Sequence, residues 1–353
     1  MAPLDWGLGH ATRCIPIIKK LLLADYEVII ASDGAQTSLL KTEFPALKYL
    51  KLPGYKLRYG SNALLTGLKI ILQTPKILIK INSEKRWLEE VIERENVDIV
   101  ISDNRYGLYS KKITSVFLTH QLYIKTPFGK KIEKKLQQLN YKYINQFSHC
   151  LVPDFENENN LAGELSHPKI FPKIPLHYIG ILSRLEKKET KSVYKLLILL
   201  SGPEPQRTIL ENIMMSELKS YDEKTIFVRG LPDEKNKVFI SSNVEIHNYL
   251  SSSELNDAIC KSELIICRSG YSTIMDLARL GKNCIAIPTP GQSEQEYLSN
   301  YLSKKKFTMK INQKDFSLQK VLEDAKNFSF AKFDEQQNNL LDDAIDGLTE
   351  KII

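Results

Sequence analysis

The stretch 266–302, ICRSGYSTIMDLARLGKNCIAIPTPGQSEQEYLSNYL, reads as strand, tight loop, helix, strand, loop and helix. Strands alternating with helices in this way make βαβ units on a parallel sheet. Ser269, Gly270, Ser272 and Thr273 put hydroxyls and free backbone N–H groups at a helix start, which suits a bound anion. Asp276 lies one helical turn further on. Its carboxylate can accept hydrogen bonds from ribose hydroxyls, or it can serve only as a carboxylate that favours the helix dipole. In "PGQSEQE" (290–296), Gln292, Glu294, Gln295 and Glu296 offer more hydrogen-bonding groups than a simple cap requires. They match sugar hydroxyls, and a solvated helix face is the alternative.

The same alternation extends over the chain. Short apolar runs occur at 26–32, 97–102, 115–120 and 149–153, and the pattern restarts at 194–200, 224–230, 243–250, 262–268 and 283–288, with helical segments between. At 353 residues the chain is longer than single cores usually grow. These features predict two doubly wound α/β domains, 1–184 and 193–332, joined by the charged, apolar-poor linker "LEKKETKS" (185–192). In the tail, 333–353, apolar residues Leu340, Leu341, Ala344, Ile345, Leu348 and Ile352 follow a helical spacing with no strand after them. This helix is expected to pack back across the domain boundary.

Near the amino terminus, "DWGLGHATR" (5–13) sets Gly7, Gly9, His10 and Arg13 directly after a strand-like "APL". A dinucleotide fingerprint is one reading, with Asp33 standing where a ribose-binding acid belongs, but its third glycine is Thr12. A ligand-free strand-to-helix turn is the other. His10 argues for function, because the loop after the first strand of such a sheet lines the ligand crevice. Pro16 predicts that the helix begins late or is kinked. Only four residues precede Asp5, fewer than the five or six usual for a strand, so this first strand reads as truncated or misassigned. "SDNRYG" (102–107) brings Asp103 and Arg105 to the carboxyl end of a strand, on the expected cleft rim, or it is simply a turn. In "LLSGPEPQRT" (199–208), Gly202 and the amides of Glu204, Gln206 and Arg207 can meet a diphosphate, whereas Pro203 and Pro205 donate nothing.

Composition narrows the classes. Hydrophobic residues at 42% and charged residues at 26% are ordinary globular values. A net charge of +7 suits an anionic small molecule or membrane surface and is too weak to indicate nucleic acid. Five cysteines without a C-x-x-C read as reduced thiols of a cytoplasmic protein. The segment 67–87 mixes Ile and Leu with Lys69, Lys76, Lys80, Lys85 and Arg86. It is expected either to touch the inner face of a membrane peripherally or to be a core-facing helix with solvated lysines. The sequence carries no zinc-ligand motif and no Asp-x-Asp loop, so neither a metal nor another cofactor is expected, and it has no Gly-x-Ser-x-Gly elbow, the usual marker of acyl hydrolysis.

Together "GLGH", the "SG" turn that opens the second half and "CRSGYSTIMDLARLGK…IPTPGQSEQEY" resemble glycosyltransferase family 28. The likeness covers both halves in order and is strongest over 266–302. It implies a GT-B fold, two Rossmann-like domains facing a cleft, with a UDP-sugar on the second domain and a glycan or lipid-linked acceptor on the first. It assigns Asp276 to the ribose, Ser269, Gly270, Ser272 and Thr273 to the diphosphate, and Gln295 with Glu296 to the donor sugar. His120 and Gln121, in "THQLY" (119–123), fall on a cleft-facing loop, and His10 matches the family's first-loop histidine. The first loop has one glycine fewer than the family, and the 202–207 loop has prolines where the family is glycine-rich. The resulting expectation is a metal-independent, inverting transfer. His10 is the general base with Asp103 in reserve, and Arg207 or Arg268 faces the departing diphosphate. A sugar-nucleotide epimerase or hydrolase and a non-catalytic sensor are the competing readings.

Overall fold

The computed structural model describes residues 1–55, 63–231, 242–333 and 339–349. Its contacts divide the chain into two compact units. The first takes the described parts of Met1–Gly60, Leu64–Ser183 and Gln336–Ile353, and the second those of Ser61–Ala63 and Arg184–Glu335.

The first unit begins with α1 (Leu8–Leu23), β1 (Ile29–Ser32), α2 (Gly34–Glu43), β2 (Lys48–Lys51) and the long α3 (Ala63–Glu95). It continues with β3 (Ile99–Asp103), β4 (Thr114–Leu118), α4 (Lys130–Ile144), β5 (His149–Val152) and β6 (Leu176–Tyr178). β1 pairs with β2 and β3-β4-β5-β6 form a second group, every pairing parallel. Residues 1–2 bridge the two groups. Ala2 N donates to Ile101 O at 2.9 Å and Asp103 N to Ala2 O at 3.0 Å, while Ala31 N donates to Met1 O at 2.9 Å. The short first strand therefore sits centrally, held from both sides.

α1 buries Ala11, Cys14, Ile15, Ile17 and Ile18. Contrary to the expectation of a late start, it begins at Leu8 and runs on through Pro16. The proline removes one backbone donor, and burial of the isoleucines around it offsets that loss at about 1.5–3 kcal/mol per side chain.

The second unit contains β7 (Tyr194–Leu199), α5 (Gln206–Glu217), β8 (Thr225–Val228), β9 (Val244–His247), α6 (Ser252–Cys260) and β10 (Ser262–Cys267). After these come α7 (Tyr271–Arg279), β11 (Cys284–Ala286), α8 (Ser293–Lys304), β12 (Thr308–Lys310) and α9 (Leu318–Asn327). Its six-stranded parallel sheet has the order β12-β11-β10-β7-β8-β9. From β7 the chain winds outward to β9, then returns and winds the other way from β10. The strand order reverses between the neighbours β7 and β10, the position where open α/β sheets bind ligands. A core of Leu196, Ile198, Met214, Phe227, Ile266 and Ile285 fixes the register of this sheet.

The tail helix α10 (Leu340–Thr349) belongs to the first unit, where Lys20 pairs with Asp342 at 2.6 Å and Ala344, Ile345 and Leu348 are buried. β2 and β12 were not legible in the sequence. "KYLK" and "TMK" are short, lysine-bearing edge strands without a long apolar run.

Candidate functional site

In the first unit the site grows from the carboxyl ends of β3 and β4 and the start of α1. Gly7 caps α1 at φ 78° and, having no side chain, makes no side-chain cap bond. Asp103, the last residue of β3, is fully buried and accepts from Arg13 Nε at 3.0 Å, from Arg13 Nη2 and from His10 Nδ1 at 2.9 Å. Burial opposes its charge, but Arg13 and His10 overcome that and hold the carboxyl at about 2. Asp103 is therefore ionised at neutral pH. His10 Nδ1 also lies 2.9 Å from Arg13 Nη2, so it stands between a carboxylate that takes a proton from it and a guanidinium that offers one; the bond to Asp103 requires the tautomer with the proton on Nδ1 and Nε2 as the acceptor nitrogen. Arg13 Nη1 also lies 3.1 Å from His120 Nδ1. Arginine only donates, so His120 Nδ1 accepts and its proton is on Nε2. His10 keeps 15% of its side-chain surface while His120 is 3% exposed. Gln121 is half-buried beside it, and its carbonyl accepts from Asn140 Nδ2 at 3.0 Å.

Arg105 lies in the interior, not on a rim. It is 1% exposed and donates to Glu84 Oε1 at 2.9 Å and to the carbonyls of Pro3 and Pro53. Glu84 also accepts from Tyr55 Oη at 2.7 Å and Gly107 N at 3.2 Å. This cluster fastens α3 to the chain before α1 and to the turn after β3. No local pattern in the sequence marks Glu84, which stands inside a helix among exposed charges. Asp33 caps α2 through a 3.1 Å bond from Gly34 N, so an ordinary helix cap accounts for it.

In the second unit, Gly202 and Gly270 follow β7 and β10, which are adjacent and parallel, so both turns stand at one edge of the sheet at its reversal point. Gly202 adopts φ +103°, a region that favours glycine, and a Cβ there would stand 3.5 Å from Thr289 Oγ1. Gly270 caps α7, and a Cβ on it would meet nothing within 4 Å, so the start of this helix borders open space. Ser272, Thr273 and Asp276 are half-buried on this helix.

Other predicted residues are engaged within the protein. Ser269 Oγ donates to Gln295 O at 2.9 Å. Gln295 Oε1 accepts from Thr289 N at 2.9 Å, its amide donates to Gln292 Oε1 at 2.6 Å, and Glu296 Oε1 accepts from Gly291 N at 3.1 Å. Gln292, Gln295 and Glu296 thus shape the loop before α8, with Glu294 in that helix's first turn. Arg207 is 6% exposed and pairs with Glu204 at 2.6 Å and with Glu211, which it shares with Arg229. Its charge is matched by carboxylates of its own unit.

Arg268 differs. It is 1% exposed and donates only to neutral acceptors: Gln206 O at 2.8 Å, Gln313 Oε1 at 2.7 Å and the carbonyls of Ile287 and Pro288 at 3.3 Å. Its Nε and the nearby Thr289 Oγ1 lack hydrogen-bond partners. Burial pulls the guanidinium down to about 10, and among the described residues no carboxylate pairs with it. A buried cation without a counter-charge among the described residues, beside two glycine turns, makes this corner electropositive. Among the described residues no group of three or more His, Cys, Asp or Glu is placed to hold a metal ion, and all five cysteines are free and buried.

Residues 203–347 match the glycosyltransferase family 28 C-terminal domain. An uncharacterized glycosyltransferase of Methanosarcina acetivorans is 26% identical over 82% of this chain and 77% of its own length. The UDP-N-acetylglucosamine–N-acetylmuramyl-(pentapeptide) pyrophosphoryl-undecaprenol N-acetylglucosamine transferase of Haemophilus influenzae is 19% identical over 91% of this chain and 87% of that protein. Among solved structures, the glycotransferase of kitacinnamycin superposes with a TM-score of 0.64 at 12% identity, covering 100% of this chain and 94% of that one. The chain is a family-28-like glycosyltransferase of GT-B fold, an α/β protein of two Rossmann-like domains.

Proposed function

We propose that the protein moves a sugar from a UDP-sugar to a hydroxyl of a glycan or lipid-linked acceptor, without a metal and with inversion at the anomeric carbon. The observation that carries this reading is the histidine set against a carboxylate, His10 Nδ1 at 2.9 Å from the ionised Asp103; in the tautomer with its proton on Nδ1, Nε2 is left to accept one. The acceptor oxygen attacks the anomeric carbon while that proton passes to His10 Nε2. The bond to the diphosphate breaks and the leaving group takes the electron pair. A single displacement of this kind inverts the centre. The developing negative charge on the diphosphate falls to the α7 amino end and the uncompensated Arg268, with Asp276 as the ribose acceptor.

The Haemophilus relative's printed donor and lipid-linked acceptor support the choice of substrates. Peripheral membrane contact is part of the reading. On α3, Leu72, Leu78 and Ile79 are exposed at 79%, 41% and 69%, with Lys76 beside them. Among the described residues no helix is long and apolar enough to cross a membrane. The side chains of residues 67–71 lie outside the described residues.

The test pairs binding with turnover. A thermal-shift panel of nucleotide sugars finds the donor, since a ligand at 100 times its dissociation constant adds about 2.7 kcal/mol. His10→Ala is then expected to lower turnover by about 10² to 10⁴-fold with the donor shift intact. Unchanged turnover with intact donor binding would overturn the base assignment. Free sugar or an altered sugar nucleotide formed at full rate without acceptor would assign a hydrolase or epimerase instead.

A further inference from the structure

The first unit carries a hollow that the transfer chemistry described above does not use. It has a volume of about 710 Å³ and is walled by Phe155, His167, Phe171, Leu176, Tyr178 and Leu340. Its position follows from the sheet. β3, β4, β5 and β6 are parallel neighbours in that order, so their carboxyl ends share one edge. Asp103 ends β3, His120 follows β4, Phe155 follows β5 and Tyr178 ends β6. With strands about 4.8 Å apart, its Phe155 and Tyr178 wall lies two to three strands, roughly 10–15 Å, along the edge from the His10–Asp103 pair, while Leu176, which opens β6 opposite Cys150, carries the hollow down beside that edge strand.

The walls are fixed before any ligand arrives. Asp154 is fully buried and gathers the 153–166 loop by accepting from Phe155 N at 2.9 Å, Leu161 N at 2.7 Å, Ala162 N at 3.0 Å and Ser166 Oγ at 2.6 Å. Tyr178 Oη donates to Ser166 O at 2.8 Å, and the His167 ring stacks on Tyr178 with centroids 4.9 Å apart. Both His167 nitrogens have partners, Ser166 Oγ at 2.8 Å and Glu156 O at 3.2 Å, so the ring serves the hollow as a flat wall. Phe171 remains 47% exposed, an apolar ring left facing solvent at the hollow. Glu156 and Asn157 stand at the rim, and the lining has no lysine or arginine. Apolar, partly aromatic walls with one acid at the edge accept an uncharged apolar ring and disfavour an anion.

We propose that this hollow holds an uncharged, ring-bearing apolar portion of the acceptor, while the acceptor's hydroxyl-bearing head reaches His10 along the strand edge. The assignment rests on the transferase reading of the His10 site and specifies its acceptor as an amphipathic molecule. It gives the first unit a substrate-selecting surface separate from the donor-binding turns.

The neutral fluorophore N-phenyl-1-naphthylamine, titrated into the full chain, is the direct probe. Saturable one-site binding is expected, weakened at least tenfold by Phe171→Glu and by Leu340→Glu and retained in Phe171→Trp. In each variant the melting shift given by UDP-glucose or UDP-N-acetylglucosamine stays as in wild type. 2-Naphthyl β-glucoside should displace the probe and methyl β-glucoside should not. Absent probe binding, or binding that both charged variants leave unchanged, overturns the site. Probe binding that naphthyl glucoside fails to displace overturns the acceptor assignment. If no nucleotide sugar shifts the wild-type melt while the probe still binds, the donor reading fails and the hollow stands.

Discussion

Replacing Asp103 by asparagine separates the structural from the chemical role of the His10 site. The carboxylate is fully buried against Arg13, itself 2% exposed, and against His10. Arg13 and His10 hold its pKa at about 2 against the usual 3.8, corresponding to about 2–3 kcal/mol of stability at neutral pH at ~1.4 kcal/mol per pH unit. Removing the charge also leaves a buried guanidinium uncompensated, for which about 3–5 kcal/mol is typical. The two routes bracket a loss of about 2–5 kcal/mol. At roughly 2–4 °C per kcal/mol for a unit of this size, the melt should fall by about 5–20 °C.

The pH dependence has a definite sign. The folded pKa lies below the unfolded one, so the stabilisation is complete above about pH 4 and is lost as the pH falls from about 4 towards 2. Asp103→Asn should lack that acid-side slope. Turnover should fall about 10² to 10⁴-fold as well, because the amide no longer holds His10 Nδ1 in its donor state by charge. Scanning calorimetry across pH 2–7, with transfer rates at pH 7, measures all three. If Asp103→Asn melts within about 1 °C of wild type and keeps the acid slope, the buried triad is not the electrostatic centre argued here.

Glu84→Gln leaves Arg105 buried without its carboxylate and should lower stability by about 3–5 kcal/mol in chemical denaturation, with little change in donor affinity. Arg268→Met should weaken nucleotide-sugar binding at least tenfold by titration calorimetry, since it removes the buried positive charge beside Gly202 and Gly270. Arg207→Met, whose charge is already matched by Glu204 and Glu211, should affect binding far less and stability more. Transfer measured after dialysis against EDTA should match the untreated rate, and a loss restored by Mg²⁺ or Mn²⁺ would reject metal independence.

The sequence by itself determined the layered α/β plan and the two glycine turns at 202 and 270, because strand and helix periodicities are local and glycine marks its turn wherever the chain goes. It also singled out His10 and Asp103 individually. Their union was decided by tertiary structure: 93 residues separate them, and Arg13 reaches across 90 to join the same carboxylate. The three other candidate arginines make the same point. In sequence Arg105, Arg207 and Arg268 look alike, but folding hands Arg105 to Glu84 and Arg207 to Glu204 and Glu211, while Arg268 meets no carboxylate among the described residues. The energy of a buried charge depends on what lies within a few ångströms of it, and that neighbourhood comes from parts of the chain that local sequence patterns do not connect.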